Sequence, residues 1–148
     1  MEGDIYNLRI FGLYGKYEDY RYRFISNAIC NNIKGLPITM NQNVYFDYLN
    51  IDDFVKIIEY FIVHQAKHRF YNVGTGTKID ILSLAQEINN IADKKSKIII
   101  AKKGLNKEYT CDNALLIQEL GEFKFKDYKT GIKELYQWYA NRKKLISL

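Results

Sequence analysis

Proline is almost missing from this 148-residue sequence, with Pro37 alone, and glycine occurs only nine times. That composition excludes collagen-like, linker-like and low-complexity chains. Cysteine is scarce as well: Cys30 and Cys111 stand far apart in the chain, which gives neither a disulfide framework nor the paired spacing of a zinc site. Long hydrophobic runs are absent, the isoleucines of Ile98–Ile100 falling far short of the about 20 apolar residues that span a bilayer. The opening stretch MEGDIYNLRI has neither the basic nor the apolar region of a signal peptide. These absences predict a cytoplasmic protein in a reducing setting with no membrane partner. What is present, 47% apolar residues in 17.5 kDa, suffices for one packed domain.

The formal net charge is +5, from 22 Lys and Arg against 17 Asp and Glu. Lysine supplies most of the cations, and the densest spots are Lys94–Lys97, Lys102–Lys103 and Arg142–Lys144. None is a block of five or six like charges, so solvated surface is the default and nucleic-acid binding is not expected. Lys, Ile, Asn and Tyr, all with A/T-rich codons, are heavily over-used. The 13 tyrosines therefore read as core-edge aromatics with wet hydroxyls rather than as a base-stacking surface.

Periodicity predicts a short strand at Asn7–Phe11, a turn at Gly12–Gly15, and a helix with apolar positions Ile25, Ala28, Ile29 and Ile33 ending before Gly35. Extended segments follow at Ile38–Met40 and Val44–Leu49. Asn50 reads as the N-cap of a helix running to about His64, with the stripe Ile51, Phe54, Val55, Ile58 and Phe61/Ile62. A strand at Arg69–Val73 leaves through Gly74-Thr-Gly76, and Asp80 caps a helix with the stripe Ile81, Leu84, Ala85, Ile88 and Ala92. A strand at 97–101, a short helix capped by Asp112 and stopped by Gly121, and a last helix from about Thr130 to Leu145 complete the chain. Short strands alternating with helices of ten to fifteen residues predict a mixed α/β fold, a sheet covered by helices.

Several groupings resemble chemistry and have plainer explanations. Gly74-Thr-Gly76 follows a strand and precedes a helix, but the third glycine of a dinucleotide fingerprint is replaced by Ile79. His64 and His68 have helical spacing, yet Gln65 stands where a metalloprotease needs Glu, and no third ligand is suggested. Neither cysteine has a neighbouring histidine to activate it. Asp52 and Asp53 fit a helix first turn, where negative charge complements the dipole. Asp47, inside the strand-like YFDYL, stays open as an acid–base group. Tyr139-x-x-x-Lys143 is a helical i,i+4 pair that chance supplies in a chain so rich in both residues.

Five segments, in order, resemble the C-terminal half of the extended short-chain dehydrogenase/reductase family, the NAD-dependent nucleotide-sugar epimerases and dehydratases. They are NLRIFGLYG (7–15), YFDYLNIDDFVKII (45–58), FYNVGTG (70–76) with ILSLAQEI, EYTCDNALLIQELG (108–121) and GIKELYQWY (131–139). The resemblance implies a Rossmann-type fold that lacks its N-terminal dinucleotide-binding half, as a truncated frame or one part of a split enzyme. In the family the Gly-rich NAD turn and the catalytic Tyr-x-x-x-Lys lie upstream of the segment matching NLRIFGLYG. This chain is therefore expected to bind no NAD(P) by itself, to hold no catalytic and no metal-binding residue, and to be catalytically silent alone. Residues 1–148 form one substrate-binding-like domain on this reading, with 1–16 the last part of the Rossmann-type sheet and 17–148 the substrate-domain elements.

Residue by residue, the resemblance places Phe11 beside the nicotinamide and substrate, and Ile38 to Met40 against the nucleotide base. Gly12 stands where family members often have Asn, and Lys16 where they have Pro. Phe46 occupies the position of an arginine that grips the diphosphate, leaving Asp47 and Tyr48 as the matched pair. Lys102 stands at a second arginine position, where it can meet phosphate as a point charge without the bidentate fork. The expected substrate contacts are Phe11, Ile38, Met40, Tyr48 and Lys102, and the expected ligand is a nucleotide-sugar, in isomerase or oxidoreductase chemistry serving polysaccharide synthesis. Two other classes remain: an interaction module, because strands at Asn7–Phe11 and Arg69–Val73 would present open edges that favour self-association or a missing NAD-binding half, and, more weakly, a basic nucleic-acid binder.

Overall fold

The computed structural model describes residues 5–146. In chain order the elements are β1 (Asn7–Ile10), β2 (Gly12–Tyr14), α1 (Phe24–Ile33), β3 (Ile38–Asn43), β4 (Tyr45–Asn50), α2 (Ile51–Val63), β5 (Phe70–Val73), β6 (Lys78–Asp80), α3 (Ile81–Ile91), β7 (Ile98–Leu105), α4 (Ala114–Leu120) and α5 (Tyr128–Ala140), followed by a 3-10 turn at Lys143–Ile146. The mixed α/β class is as the sequence predicts. In place of one sheet, the described strands form three small ones, β1-β5, β2-β4-β6 and β3-β7, with parallel pairing throughout except for antiparallel β4-β6.

Local chemistry sets the helix starts. Asn50 accepts the Asp52 N–H at 2.9 Å, Asp80 the Ser83 N–H at 3.0 Å, and Asp127 the Thr130 N–H at 3.1 Å. Such caps are worth about 1 kcal/mol each. Asp127, not Thr130, begins the last helix, and that helix stops at Ala140. Tyr139 and Lys143 are consequently not an i,i+4 pair on one helix, because Lys143 lies in the 3-10 turn beyond it. Gly12–Tyr14, read as a turn, is a strand held by β4 in the register Gly12↔Tyr48. Three residues with a glycine at one end carry too little alternation to reveal themselves.

Two apolar clusters fill the interior. The larger joins α1, α3 and α5 through Ile29, Leu84, Ile88, Ile132 and Leu135. The smaller holds Leu49, Ile57, Phe61, Tyr71, Val73 and Leu116 between α2, α4 and the β1-β5 pair. Glu119 fastens the smaller cluster from outside: its carboxylate accepts the Tyr71 hydroxyl at 2.8 Å, the Tyr60 hydroxyl at 3.1 Å and the Lys67 N–H at 3.1 Å. Desolvation pushes this carboxyl upward, but those donors outweigh it and hold its pKa below the ordinary value of 4.5. A carboxyl depressed in the folded state adds stability that is full above the unfolded value and fades as pH falls through the folded one. Glu119→Gln is therefore expected to lower the urea midpoint at pH 7, and to lower it by less at pH 3.5; an equal loss at both pH values would refute the assignment.

Candidate functional site

The end of β1, the β2-β4 pair and the loop before α1 enclose a cavity of about 520 Å³ lined by Phe11, Gly12, Phe46, Tyr48, Tyr109 and Arg23, among others. A second cavity of about 360 Å³ lies along β3 and is lined by Arg21, Asn27, Thr39, Met40, Gln42 and Asn106. Tyr22, Arg23, Phe24 and Ile81 belong to both, so the two form one cleft with Arg23 at the junction. The first half is aromatic: Phe11 and Tyr109 rings are centred 5.0 Å apart, Phe46 and Tyr48 5.4 Å, Phe46 and Tyr109 5.9 Å. The second half offers amides, a hydroxyl and the Arg21 guanidinium, which is already paired with Asp19 at 2.8 Å. An apolar wall, a polar floor and the Arg23 guanidinium between them make a pocket for a ligand with a flat or hydrophobic part and an anionic part.

Of the residues expected to touch substrate, Phe11 and Tyr48 line the aromatic half and Met40 the polar half. Burial drives the Tyr48 hydroxyl pKa well above the phenol range, so this group stays protonated and serves as a neutral hydrogen-bonding group. Lys102 is paired in register with Gln42 on the exposed strand β7, beside the polar half rather than in its lining. Ile38 is fully buried in the larger cluster, in register with Ile98, and does not line the cleft. Arg23 was not singled out from sequence. It precedes the first helix in a charged, aromatic stretch, where no periodicity separates a ligand contact from surface.

Asp47 is fully buried and bound within the protein. Its carboxylate accepts the Thr75 N–H at 2.9 Å, the Thr75 hydroxyl at 2.7 Å and the Gly76 N–H at 2.7 Å. Asp47 therefore clamps the Gly74-Thr-Gly76 turn to β4, and the open acid–base reading gives way to a structural one. The same contacts test the turn as a cofactor cradle. Thr75 and Gly76 have their amides committed to Asp47, a Cβ at Gly74 would press on Asp47 and Cys111, and one at Gly76 on Asn113. The turn is filled by the protein and does not fit a dinucleotide phosphate.

The remaining candidates resolve into structure. His64 stacks on Tyr60 with ring centres 4.4 Å apart, and His68 sits edge-on to Tyr71. Among the described residues no three His, Cys, Asp or Glu side chains are grouped to hold a metal. Desolvation pushes both Cys30 and Cys111 up to about 12, so neither is a thiolate near neutral pH. Asp53 accepts the Lys126 N–H at 2.6 Å, and the Lys126 ammonium bridges Asp52 at 3.0 Å and Glu134 at 2.6 Å. The first turn of α2 thus anchors the entry to α5, beyond complementing a helix dipole.

The sequence pattern of the NAD dependent epimerase/dehydratase family matches residues 2–74. The chain is 26% identical over 145 residues to ADP-L-glycero-D-manno-heptose-6-epimerase of Brachyspira hyodysenteriae (strain ATCC 49526 / WA1), covering 90% of this chain and 46% of that protein. Its fold superposes on UDP-glucuronic acid 4-epimerase from Bacillus cereus, solved with UDP-glucuronic acid and NAD, with a TM-score of 0.80 at 19% identity over 95% of this chain and 46% of the other. UDP-glucose 4-epimerase from Thermotoga maritima, solved with UDP-glucose, gives a TM-score of 0.75 at 21% identity over 93% and 46%. The chain spans about half the length of the relatives it matches. No described helix is long and apolar enough to cross a membrane. The matched pattern over residues 2–74, the heptose-epimerase relative and the shared fold agree: the chain is similar to the NAD-dependent epimerase/dehydratase family.

Proposed function

We propose that the cleft binds a nucleotide-sugar, and that this chain is the substrate-binding portion of an NAD-dependent sugar epimerase, dehydratase or reductase of the kind that serves polysaccharide synthesis in the cytoplasm. The observation that carries this reading is the joined cleft with Arg23 at its junction. Arg23 takes the diphosphate there, supplying the guanidinium that position 46 lacks; Lys102 adds charge from the rim. Phe11, Phe46 and Tyr109 wall the sugar half, the Tyr48 hydroxyl stays neutral beside it, and Met40 with Gln42 and Asn106 meets the base. Residues 1–16, of which 1–4 lie outside the described residues, contribute the last part of the cofactor-side sheet, to which β5 belongs by pairing with β1, and the described residues from 17 on form the substrate side. NAD supplies hydride chemistry in the family, and no residue of this cleft replaces the Tyr/Lys pair, so the chain alone is catalytically silent.

A thermal-unfolding titration with UDP-, GDP-, CDP-, dTDP- and ADP-sugars, and NAD as comparator, tests this. At a hundredfold excess over its Kd a ligand stabilises the native state by about 2.7 kcal/mol. One nucleotide class is expected to raise the midpoint by several degrees, and Arg23→Gln to weaken that ligand by about tenfold or more. No shift with any nucleotide-sugar, or an undiminished shift in Arg23→Gln, would defeat the cleft assignment. NAD turnover by the chain alone would defeat the claim of silence.

One observation favours a second reading, an interaction module. Strand β1 has β5 on one side and, among the described residues, no strand on the other, and Ile10 and Phe70 are 43% and 54% exposed. An open edge with apolar neighbours favours self-association or a partner strand. Monomeric light scattering at high concentration would refute it.

A further inference from the structure

Two of the three densest basic spots in the sequence, far apart along the chain, meet in space. Helices α1, α3 and α5 run to their C-termini around one cavity of about 450 Å³, away from the cleft. It is lined by Lys34 and Gly35 beyond α1, Asp93 and Lys94 beyond α3, Ala140 and Lys143 at the end of α5, and by Asn32 and Tyr136. Its inner surface is rigidly built. Asn32 is buried, donates to Asn89 Oδ1, the Lys94 carbonyl and Ser96 Oγ at 3.0–3.2 Å, and accepts the Tyr136 hydroxyl at 2.8 Å. That one side chain ties all three helix exits together.

The plain explanation for lysines here is neutralisation of helix C-terminal carbonyls. Each helix end carries about half a negative charge, so three ends account for roughly 1.5 charges. Asp93 adds one more. Against these stand three lining cations, Lys34, Lys94 and Lys143, with Lys95, Lys97 and Arg142 close to them in the chain. Lys34 packs its ammonium 5.2 Å above the Tyr20 ring and Arg142 packs over Trp138, while Lys94, Lys95, Lys97 and Lys143 are exposed. The helix ends and Asp93 nearly offset the three lining lysines, and the neighbouring Lys95, Lys97 and Arg142 leave the patch as a whole positive.

We propose that this cavity is a second anion site, separate from the cleft, for a compact ligand carrying two or more phosphate groups. Its size suits a small molecule. The concavity and the absence of an exposed aromatic among its lining residues argue against an extended nucleic acid, which needs a groove and stacking platforms. Lysine ammoniums, as mobile point charges, accept phosphates of varied geometry. Gly35, where an added Cβ would meet nothing within 4 Å, leaves the rim open.

The test is titration of the isotopically labelled full chain with inorganic pyrophosphate, followed by amide chemical shifts. Saturable shifts are expected at Gly35, Lys94 and Asn141. They should persist in Arg23→Gln, which disables the cleft, and weaken tenfold or more in the double variant Lys94→Gln/Lys143→Gln, whose exposed positions leave the fold intact. Shifts confined to the cleft residues Tyr22–Phe24, non-saturating shifts, or unchanged affinity in the double variant would overturn the site. So would a single-stranded oligonucleotide binding more tightly than pyrophosphate at equal salt, which would reassign the patch to an extended polyanion. Because Arg23→Gln and the double variant report separately, failure of one site leaves the other standing.

Discussion

Replacing Asp47 with alanine is expected to destabilise the protein by about 2–4 kcal/mol, since the part-buried Thr75 and Gly76 amides lose their acceptor at about 1–3 kcal/mol each. For a domain of this length that lowers the thermal midpoint by on the order of 10 °C. The Thr75 hydroxyl can turn elsewhere, but the Thr75 and Gly76 N–H groups cannot, because both point at the one carboxylate. Asp47→Asn should do less damage: one oxygen still serves Thr75, while the amide NH₂ faces the Gly76 N–H. Urea unfolding of the two variants checks the ordering. A loss below about 1 kcal/mol for alanine would show that water replaces the carboxylate and that the clamp is dispensable. The clamp also bears on the cleft, because Tyr48, the next residue of β4, lines it. Asp47 and Tyr48 point to opposite faces of one strand, so securing the first orients the second.

Gly131→Ala is expected to destabilise by about 2 kcal/mol, the balance of about 3 kcal/mol of overpacking and about 1 kcal/mol gained in helix propensity. A Cβ at this position of α5 would run into the Tyr14 hydroxyl. That hydroxyl is buried without a hydrogen-bond partner; the Asn50 amide lies near it but outside hydrogen-bond geometry. Burial raises its pKa to about 12, so it is a neutral phenol across the usable pH range. Tyr14→Phe removes the orphaned group at little cost, and in that background Gly131→Ala should become close to neutral. The double-mutant cycle is expected to return a coupling of about 2 kcal/mol. A coupling near zero would mean that α5 shifts to accommodate the methyl group and that glycine is there for another reason.

Helices α2 and α3 were plain in the sequence because each has a cap and a stripe: Asn50 ahead of Ile57 and Phe61, Asp80 ahead of Leu84 and Ile88. The short strands were harder. β6 is three residues, Lys78–Asp80, and its last residue is also the cap of α3, so the cap signal masked the strand. β7 extends to Leu105 although every residue after Ile98 is exposed, because backbone pairing with β3 rather than apolar alternation holds it. Phe11, Tyr48 and Met40, which line the cleft, stand out through resemblance, which carries register that composition cannot. The place of Arg23 at the junction is not legible in the sequence, because it depends on how the loop before α1 folds over two cavities. The convergence of Lys34, Lys94 and Lys143 was equally hidden, since it depends on three helices ending together.

The strand pairings carry a kinetic consequence. β1 pairs with β5, β2 with β4 and β3 with β7, each across at least one helix, and even antiparallel β4-β6 has α2 and β5 between its members. Among the described strands none closes a hairpin with its neighbour in the chain. Every ladder must therefore wait for distant residues, and loop-closure entropy is spent before any strand contact repays it. Refolding is expected in the slow millisecond-to-second range of high-contact-order domains. During synthesis β3 emerges about sixty residues before β7, so its edge stays bare while the chain lengthens. Aggregation during expression at high temperature would then reflect this order of assembly rather than weakness of the finished structure.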